Sequence, residues 1–442
     1  MDPLKSFSIQ TYGCKVNTYD SGLLEKRFQA KGFESSKAPQ VFILNTCAVT
    51  EAATKEALKQ ARKIKSQNPF GLVVVTGCGA QVDTEAFEKM PAVDLVVANS
   101  HKGQLEFLIE DFYKGKLTSK VFKSNIFKKE DLEAGGGLES SHSRAFLKIQ
   151  DGCNSFCTFC VIPFARGKSR SVSVKDLIGR VNELYAQGFR EVVITGVHIG
   201  DYEDENQRLE DLVEALLSKT QMPRFRISSL EPVELSDRLL DLYKDNDRLC
   251  PHFHMSIQHL NSRVLKLMKR SYGREEVLDA FARIEKALPQ AYVGMDLIVG
   301  FPTETEEEFL GALKDLENSF WSRVHVFSYS KRPGTYAARL DGQIAEAVKK
   351  ERARQLRQLS QERIYQKAPK QLGASKLGLP LSSNDPEFLK FLTRDYLTVQ
   401  VPRPSKDFQV SGAGDGEVRL EMKEILPDRR PGLDPVFLGT LL

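Results

Sequence analysis

The sequence predicts an α/β fold: an N-terminal domain wound around a parallel sheet, a larger central domain of β/α units, and a small β-rich C-terminal appendage. Short β-branched runs alternate with helical stretches over most of the chain, as in parallel α/β proteins. The last part instead carries short strand-like runs among prolines and glycines. A chain of 442 residues has room for two or three domains. We expect a first domain over 1–112, a linker over 113–144, a second domain over 145–370 and the appendage over 371–442.

In the first domain, three strand-like runs each lead into a cysteine: Cys14, Cys47 and Cys78. The carboxyl ends of parallel strands share one edge of a sheet, so we expect the three thiols to converge there. Three thiolates hold a four-iron cluster with one iron left open. The alternative is a set of three buried structural cysteines, which are common in cores. The remaining elements are predicted as helices over 19–31, 50–66 and 84–90, a strand over 94–98 and a helix near 101–112.

The predicted linker is rich in lysine, then acidic, and then passes through the glycine run Gly135–Gly137 and a serine cluster. The second domain returns to alternating strands and helices. Its predicted helices include 174–186 and 275–287. Its predicted strands are 146–150, 191–195, 225–228, 253–257, 292–299 and 324–328.

Cys153, Cys157 and Cys160 follow the first predicted strand of the second domain with C-x3-C-x2-C spacing. Electron carriers usually ligate a cluster with four cysteines. A three-cysteine site leaves one iron open for a substrate, as catalytic zinc sites leave one position open. The alternative, a zinc knuckle, needs a fourth ligand close by, but the nearest histidines are His142 and His198.

Composition excludes some classes of protein. Hydrophobic residues make up 41% of the chain, mean hydropathy is −0.33, and no apolar run approaches the length of a membrane span. The N-terminal residues lack the apolar core of a signal peptide, so we expect reduced cysteines and a cytoplasmic location without membrane association. The seventh cysteine, Cys250, is predicted to be an inert thiol.

The net charge of +4 does not by itself indicate nucleic-acid binding. Local charge is more informative, because basic stretches can follow a phosphate backbone. A solvated helix face is the alternative for the helical stretch. The basic group in the linker consists of Lys114, Lys116, Lys120, Lys123, Lys128 and Lys129. The basic group in the helical stretch consists of Lys349, Lys350, Arg352, Arg354, Arg357, Arg363 and Lys367.

The appendage is predicted to contain strands over 397–401, 417–421 and 436–441, which suggests a small β-barrel. From residue 371 onward it has nine Lys and Arg residues against ten Asp and Glu residues. The appendage is therefore not basic, and charge alone does not predict that it binds RNA.

Taken together, these motifs resemble the radical S-adenosylmethionine (SAM) methylthiotransferases over nearly the whole chain. The resemblance implies a partial (β/α)6 radical SAM barrel, a C-terminal module similar to TRAM (an RNA-binding β-barrel), two [4Fe-4S] clusters and SAM. The segments that carry it are 11–17, 44–47, 76–78, 149–167, 226–232 and 294–305.

The resemblance also implies a reaction. An external donor, flavodoxin- or ferredoxin-like, reduces the cluster at Cys153, Cys157 and Cys160, which splits SAM into an adenosyl radical that removes hydrogen from carbon 2 of an adenine. The other cluster supplies the sulfur, and a separate sulfur donor restores it. A second SAM methylates the transferred sulfur. General base catalysis does not reach a C–H bond of this kind, so a radical route is needed.

The residues after the first cysteine, Lys15–Asn17, are similar to the branch of the family that modifies N6-threonylcarbamoyladenosine on the 3′ side of the tRNA anticodon. The partner is then the anticodon stem-loop, whose unpaired adenine turns readily into a pocket. The alternatives are isopentenyladenosine in tRNA or an aspartate of a ribosomal protein. A rival of a different class is a non-catalytic iron–sulfur carrier or RNA-binding module.

Residues at the strand ends are candidates for binding SAM. Thr195 and Gly196 are placed to meet the methionyl amine, Ser228 and Glu231 the ribose, and Gly300 lets the backbone approach the ligand. The alternative for each of these residues is a structural role in a turn or a helix cap. We expect His198, which follows the second strand, to be structural.

Overall fold

The computed structural model describes residues 5–130, 132, 144–383, 385–403, 416–426 and 435–442. The predicted glycine run Gly135–Gly137 lies outside these ranges. Within them the α/β class is confirmed: two regions are built on parallel strands, and the C-terminal region is a closed antiparallel-rich barrel. Among the helices that the structure describes, none combines the length and the apolar character that crossing a membrane requires.

The N-terminal region is a six-stranded parallel sheet with helices on its faces. The strand order is β2-β1-β3-β4-β5-β6. The strands are β1 (Ser6–Thr11), β2 (Glu34–Ser35), β3 (Val41–Thr46), β4 (Leu72–Thr76), β5 (Leu95–Ala98) and β6 (Val121–Phe122). The helices are α1 (Lys15–Ala30), α2 (Glu51–Gln67), α3 (Gly77–Val82), α4 (Thr84–Glu88) and α5 (Leu105–Tyr113).

The central strands of this sheet are buried on both faces, as expected for a parallel sheet covered by helices. Thr50 caps α2 by accepting a hydrogen bond from the backbone N–H of Ala53. The segment over 113–144 also contributes to the sheet, because its short strand β6 pairs with β5.

The central region is a partial barrel of parallel strands flanked by helices. One sheet has the order β11-β10-β7 and the other β12-β13-β14-β15. The strands are β7 (Ala145–Lys148), β8 (Gln150–Asp151), β9 (Arg170–Ser171), β10 (Glu191–Thr195), β11 (Arg224–Ile227), β12 (Ser229–Leu230), β13 (His252–Gln258), β14 (Tyr292–Val299) and β15 (Arg323–Ser328). The helices are α6 (Ile162–Arg166), α7 (Val174–Ala186), α8 (Leu209–Lys219), α9 (Asp237–Asp245), α10 (Ser262–Leu267), α11 (Arg274–Ala287), α12 (Glu306–Glu317) and α13 (Glu346–Lys367).

Helix α1 of the N-terminal region packs onto the barrel. Its Tyr19 forms a buried apolar cluster with Phe146 of β7 and Val193 of β10. Neighbouring residues on these strands, such as Leu147 and Val192, instead join the core beneath the outer helices. Because side chains alternate along a strand, Phe146 and Val193 face the barrel interior, and α1 therefore covers the interior near β7.

The C-terminal region is a closed five-stranded barrel. It covers the end of the partial barrel at which the parallel strands begin, which we call the floor. Tyr396, in the turn before β18, packs with its ring 4.1 Å from that of His252 at the start of β13. The barrel strands are β16 (Ser375–Leu381), β17 (Phe388–Thr393), β18 (Thr398–Pro402), β19 (Val418–Leu426) and β20 (Val436–Leu441).

Buried charges strengthen this floor. Glu191 of β10 accepts hydrogen bonds from Arg224 and Arg226 of β11, at 2.8 and 3.0 Å. Both arginines also donate to the backbone carbonyl of Thr393 in the C-terminal region. All three charged side chains are buried almost completely, so each needs the others to compensate for its lost hydration.

Part of the basic stretch of α13 is engaged inside the protein, whereas Lys350, Arg354 and Arg357 are exposed. Arg352 pairs with the buried Glu304, Arg363 donates to backbone carbonyls at the end of α12, and Lys367 donates to the carbonyl of Trp321. These side chains serve packing, and the prediction of a phosphate-following surface on this helix gains no support from them.

Candidate active site

The loop that carries Cys153, Cys157 and Cys160 begins with a glycine that no other residue replaces easily. Gly152 has a φ of +81°, and a Cβ there would lie 1.9 Å from the carbonyl oxygen of Lys168. The backbone N–H of Ser155 donates to the Cys153 Sγ, at 3.5 Å. The backbone N–H of Ile162 donates to the Cys160 Sγ, also at 3.5 Å. The loop thus gathers its sulfurs and directs backbone donors at them.

The three thiols also influence one another. Burial, with Cys157 and Cys153 nearby, raises the pKa of Cys160 to about 12. Burial likewise raises the pKa of Cys157, although the guanidinium of Arg270 opposes this. Crowded, desolvated thiolates need a positive partner, and a metal ion deprotonates a coordinating thiol outright. The donor set and its N–H···S contacts therefore fit an iron–sulfur cluster.

His198 lies against this site with three carboxylates around it. Its Nε2 is 2.5 Å from Glu234 and 3.4 Å from Glu231, and its Nδ1 is 3.2 Å from Asp201. The same Nδ1 lies 3.9 Å from the Cys153 Sγ. Burial disfavours the imidazolium, but hydrogen bonds with Asp201, Cys153 and Glu234 outweigh it and raise the pKa of His198.

Arg270 connects the opposite side of the loop to the barrel. Its Nη1 donates to the Cys157 Sγ at 3.1 Å and lies 2.9 Å from Glu231. Its Nε donates to the hydroxyl of Tyr272, which in turn donates to the Ser256 carbonyl. Burial raises the pKa of Glu231 despite the nearby guanidinium. Glu231 thus lies between the two cationic side chains that contact the cysteine loop.

The other candidate SAM residues lie at the strand ends, as the sequence placed them. Thr195 ends β10 and is buried, and Gly196 follows it against Gln150, whose Oε1 accepts from the backbone N–H of His198. Ser228 follows β11 and is also buried.

Gly300 has a different environment. Its φ is +72°, and a Cβ there would lie 2.4 Å from the Cγ of Lys349. Its backbone N–H donates to Glu304 at 2.7 Å. The space beside this glycine is therefore taken by a lysine of α13.

The second group of cysteines gathers at the carboxyl edge of the N-terminal sheet. Cys47 directly follows β3, Cys78 lies in α3, and Cys14 is the N-cap of α1 without a capping side-chain hydrogen bond. A Cβ on Gly13, whose φ is +98°, would lie 2.9 Å from the Cys47 Sγ. Gly13 thus leaves the room that this sulfur occupies.

Donors and charges also surround this second group. The backbone N–H of Val49 donates to the Cys47 Sγ at 3.5 Å, and the amide of Asn99 donates to Cys78 at 3.6 Å. Burial, with Cys78 nearby, raises the pKa of Cys47 to about 12. Three thiols in mutual electrostatic contact, with polar donors and a glycine cradle, fit a second cluster by the same criteria.

Arg166 lies between the two groups of cysteines. Its guanidinium donates to Asn17 and Asp20 of α1 at 2.6 and 3.0 Å, and to Asp151 before the cysteine loop at 2.9 Å. Lys148 pairs with both aspartates. Burial opposes ionisation, but Arg166 and Lys148 lower the pKa of Asp151 to about 2. This buried network, which we call the Arg166 network, joins helix α1 of the N-terminal region to the segment that precedes the cysteine loop.

The barrel interior below the cysteine loop is polar. His254 of β13 lies 2.9 Å from Asp296 of β14, and its ring stacks on that of His325 of β15 with centroids 5.3 Å apart. Lys15, the first residue of α1, has Tyr396, Arg144, Asp296 and Arg226 as electrostatic neighbours.

Sequence reasoning missed several of these residues. Arg166, Asp151 and Asn17 lie within the motifs that carried the family resemblance, so their positions were available as a signal, but their joint network was not. His198 was expected to be structural, yet it contacts Ser155 and Cys153 of the cysteine loop. Its carboxylate partners are supplied by distant segments, which spacing alone does not reveal.

Comparisons with known proteins agree with this fold. A family model described as the radical SAM superfamily matches residues 147–316, and one described as uncharacterized protein family UPF0004 matches residues 6–98. A solved structure of the radical S-adenosylmethionine methyltransferase TsrM from Kitasatospora setae superimposes with a TM-score of 0.57 at 14% identity, covering 75% of this chain and 77% of that one. This likeness supports the fold.

Curated relatives are more similar in sequence. The chain is 36% identical over 398 residues to the threonylcarbamoyladenosine tRNA methylthiotransferase MtaB of Aquifex aeolicus, covering 89% of this chain and 96% of that protein. It is 32% identical to the tRNA-2-methylthio-N(6)-dimethylallyladenosine synthase of Bacillus subtilis, covering 81% of this chain and 72% of that protein. The predicted resemblance is confirmed, and the chain belongs to the methylthiotransferase family of radical S-adenosylmethionine enzymes.

Proposed function

We propose that the protein is a tRNA methylthiotransferase that converts N6-threonylcarbamoyladenosine, beside the anticodon, to its 2-methylthio derivative. The observation that carries the proposal is the pair of three-cysteine sites, which the Arg166 network joins across one domain boundary. Replacing a C–H bond by a C–S bond requires both a radical source and a sulfur source. A single-cluster electron carrier has no need of two such sites.

In this proposal Cys153, Cys157 and Cys160 hold one [4Fe-4S] cluster. Cys14, Cys47 and Cys78 hold the other. When bound, the clusters and SAM supply the radical that removes hydrogen from carbon 2 and the sulfur and methyl group that replace it.

The side chains around the first site contact its sulfurs and set its charge. Arg270 and the N–H of Ser155 donate hydrogen bonds to sulfurs of the first site, which tunes and orients the ligands. The carboxylates around His198 give a negative environment that suits a cationic sulfonium ligand. Thr195, Gly196, Ser228, Glu231 and Gly300 stay our candidates for contacts with SAM.

The substrate assignment follows the curated relatives. The relatives named for threonylcarbamoyladenosine in tRNA are 36% identical to this chain over 89% and 81% of its length. The relatives named for dimethylallyladenosine are less similar. Methylthiolation of isopentenyladenosine or of a ribosomal protein is therefore not favoured. We also propose that a flavodoxin- or ferredoxin-like protein reduces the enzyme, that a separate donor restores its sulfur, and that it works in the cytoplasm.

Nucleoside mass spectrometry tests this function. The gene is expressed in a host that lacks its own methylthiotransferases but retains threonylcarbamoyladenosine. We expect the methylthio derivative of that nucleoside to appear in digested tRNA. Appearance of the isopentenyl derivative alone would refute the substrate assignment, and absence of both would refute the proposed function in tRNA.

Iron content tests the two sites separately. The reconstituted protein is expected to hold about eight irons, in two four-iron clusters. Replacing Cys14, Cys47 and Cys78 together by alanine should halve the iron and leave reductive SAM cleavage intact. Replacing the other three cysteines should also halve the iron but abolish 5′-deoxyadenosine. The variant Cys250→Ala, which removes a cysteine outside both groups, should retain all the iron.

A further inference from the structure

The interior of the partial barrel is accessible, and its surface is polar. Along β13 the side chains that face the outer helices, such as Phe253 and Met255, are fully buried. Those that face the interior, His254, Ser256 and Gln258, are only half-buried. In a filled barrel both faces are buried. The half-buried inward side chains therefore mark a space that remains open to a ligand below the cysteine loop.

Lys15 faces this interior space. It lies four residues before Tyr19, so the two side chains share one face of α1. Tyr19 packs on the interior residues Phe146 and Val193. The electrostatic neighbours of the Lys15 ammonium include Asp296 of β14, the strand beside β13, together with Arg226 and Tyr396 at the end where the parallel strands begin. Helix α1 thus brings a cation from the N-terminal domain into the barrel.

This cation makes no direct ion pair within the described residues. The interior carboxylates are engaged elsewhere: Glu191 pairs with Arg224 and Arg226, and Asp296 lies 2.9 Å from His254. No hydrogen bond or ion pair of Lys15 occurs in the part of the chain that the structure describes.

The position of Lys15 is also electrostatically unfavourable. Lys15 is the first residue of α1, where the helix dipole disfavours a positive charge, and the first turn of α1 contains no acidic residue. A half-buried ammonium that is placed in this way gains stability when an anion binds beside it.

We propose that Lys15 is a specificity-determining residue whose ammonium binds the carboxylate of the threonyl group on the substrate nucleoside. This inference rests on the proposed function and assigns one residue to recognition of its substrate. A threonylcarbamoyl group carries a free carboxylate at neutral pH, whereas a dimethylallyl group in the same position is uncharged and apolar. A cation in the interior therefore distinguishes the two nucleosides by charge, because a dimethylallyl nucleoside offers it no carboxylate to bind.

Paired RNA ligands test the proposal directly. One anticodon stem-loop carries threonylcarbamoyladenosine, and the other carries the same nucleoside with its carboxylate masked as a methyl ester. Binding is measured by fluorescence anisotropy with the cluster-loaded enzyme before any reductant is added, so that no turnover occurs. The wild type should bind the acid about ten- to a hundredfold more tightly than the ester, as expected for a hydrogen bond between charged groups.

The variant Lys15→Met should bind both RNAs with nearly equal affinity, close to that of the wild type for the ester. Lys15→Arg should retain part of the preference for the acid, because it keeps the charge. Lys59→Met is the matched control, since this lysine is 75% exposed on α2, and it should behave as the wild type does.

Three outcomes are distinguished. A loss of affinity for acid and ester alike in Lys15→Met would overturn the proposal, because it would indicate a structural role. Lys15 adjoins Cys14, so iron content and SAM cleavage are measured in each variant, and a selective effect with full iron supports the proposal. Failure of the wild type to methylthiolate the acid RNA after reduction would instead refute the proposed function.

Discussion

At the scale of single residues, His259 shows how burial determines a protonation state away from the active site. It is buried beyond the end of β13, where its Nδ1 accepts a hydrogen bond from the backbone N–H of Asn261 at 2.9 Å. Asn261 in turn caps α10 through the N–H groups of Arg263 and Val264. Burial lowers the pKa of His259 to about 4. A neutral imidazole is thus part of the folded structure.

This depressed pKa predicts a pH-dependent stability. The unfolded chain takes up a proton at His259 near its ordinary pKa, whereas the folded chain does so only near pH 4. Stability is therefore full above about pH 6.5 and falls as the pH decreases toward 4, by about 2 kcal/mol at pH 5. Urea unfolding at about pH 7.5 and about pH 5 should show this loss in the wild type and a smaller loss in His259→Gln. Equal losses would contradict the assignment.

The sequence predicted the cysteines because their signal is local. Cys153, Cys157 and Cys160 form a recognisable spacing within one loop. The partners of His198 could not be found in this way, since Glu234 follows a different strand and meets the histidine only in the folded barrel. Pairings between distant segments depend on the register of the strands, which composition and spacing do not determine.

At the scale of elements, the strands with uniform apolar runs were predicted most accurately. β10 and β14 have the predicted bounds, because their β-branched residues are buried on both faces. Helix α1 begins at Lys15, earlier than predicted, since its polar first turn lacks helical periodicity. Strands β6, β16 and β17 were missed. β6 has two residues and β16 contains Gly378 and Pro380, so neither has a clear strand pattern, and both pair with neighbouring strands.

Glu191 of β10 links two elements to the C-terminal barrel, and its loss should be costly. Glu191→Ala removes the carboxylate that Arg224 and Arg226 share and leaves Arg224 with Glu417 alone, and breaking a buried pair in this way costs about 3–5 kcal/mol. We expect a lower thermal midpoint and faster hydrogen exchange in β10, β11 and β17. Glu203→Ala removes a carboxylate that is 53% exposed and should change neither. Equal stability of the two variants would contradict this account of the floor.

At the scale of the whole molecule, the Arg166 network is a buried polar connection between the N-terminal region and the barrel. Arg166→Met removes the central cation and leaves Asp20 and Asp151 with Lys148 and Lys102 as their remaining partners. We expect a destabilisation of about 3 kcal/mol that acts on the contact between the domains. Hydrogen exchange should accelerate in α1 and α6, while β14 remains protected.

The matched control is Arg238→Met, because Arg238 is 50% exposed and, within the described ranges, pairs with Asp211 and Glu214 at the surface. It should exchange as the wild type does. Unchanged exchange in α1 of the Arg166 variant would show that apolar contacts such as that of Tyr19 suffice to hold the domains together. The domain boundaries inferred from the sequence stay a prediction, and the exchange pattern measures where cooperative units begin and end.

Helix α1 starts with two adjacent residues to which the proposed function gives different roles: Cys14 would hold the sulfur-supplying cluster, and Lys15 would bind the substrate carboxylate. Cys14 caps the helix without a side-chain hydrogen bond, so in the proposed function its bond to the cluster would help to hold the first turn. A molecule whose sulfur site is empty would then hold its lysine less firmly and bind RNA less well. The two adjacent residues would thus couple tRNA binding to the presence of the sulfur-supplying cluster. An enzyme without that cluster would bind tRNA weakly, and it would not start a radical reaction for which it has no sulfur.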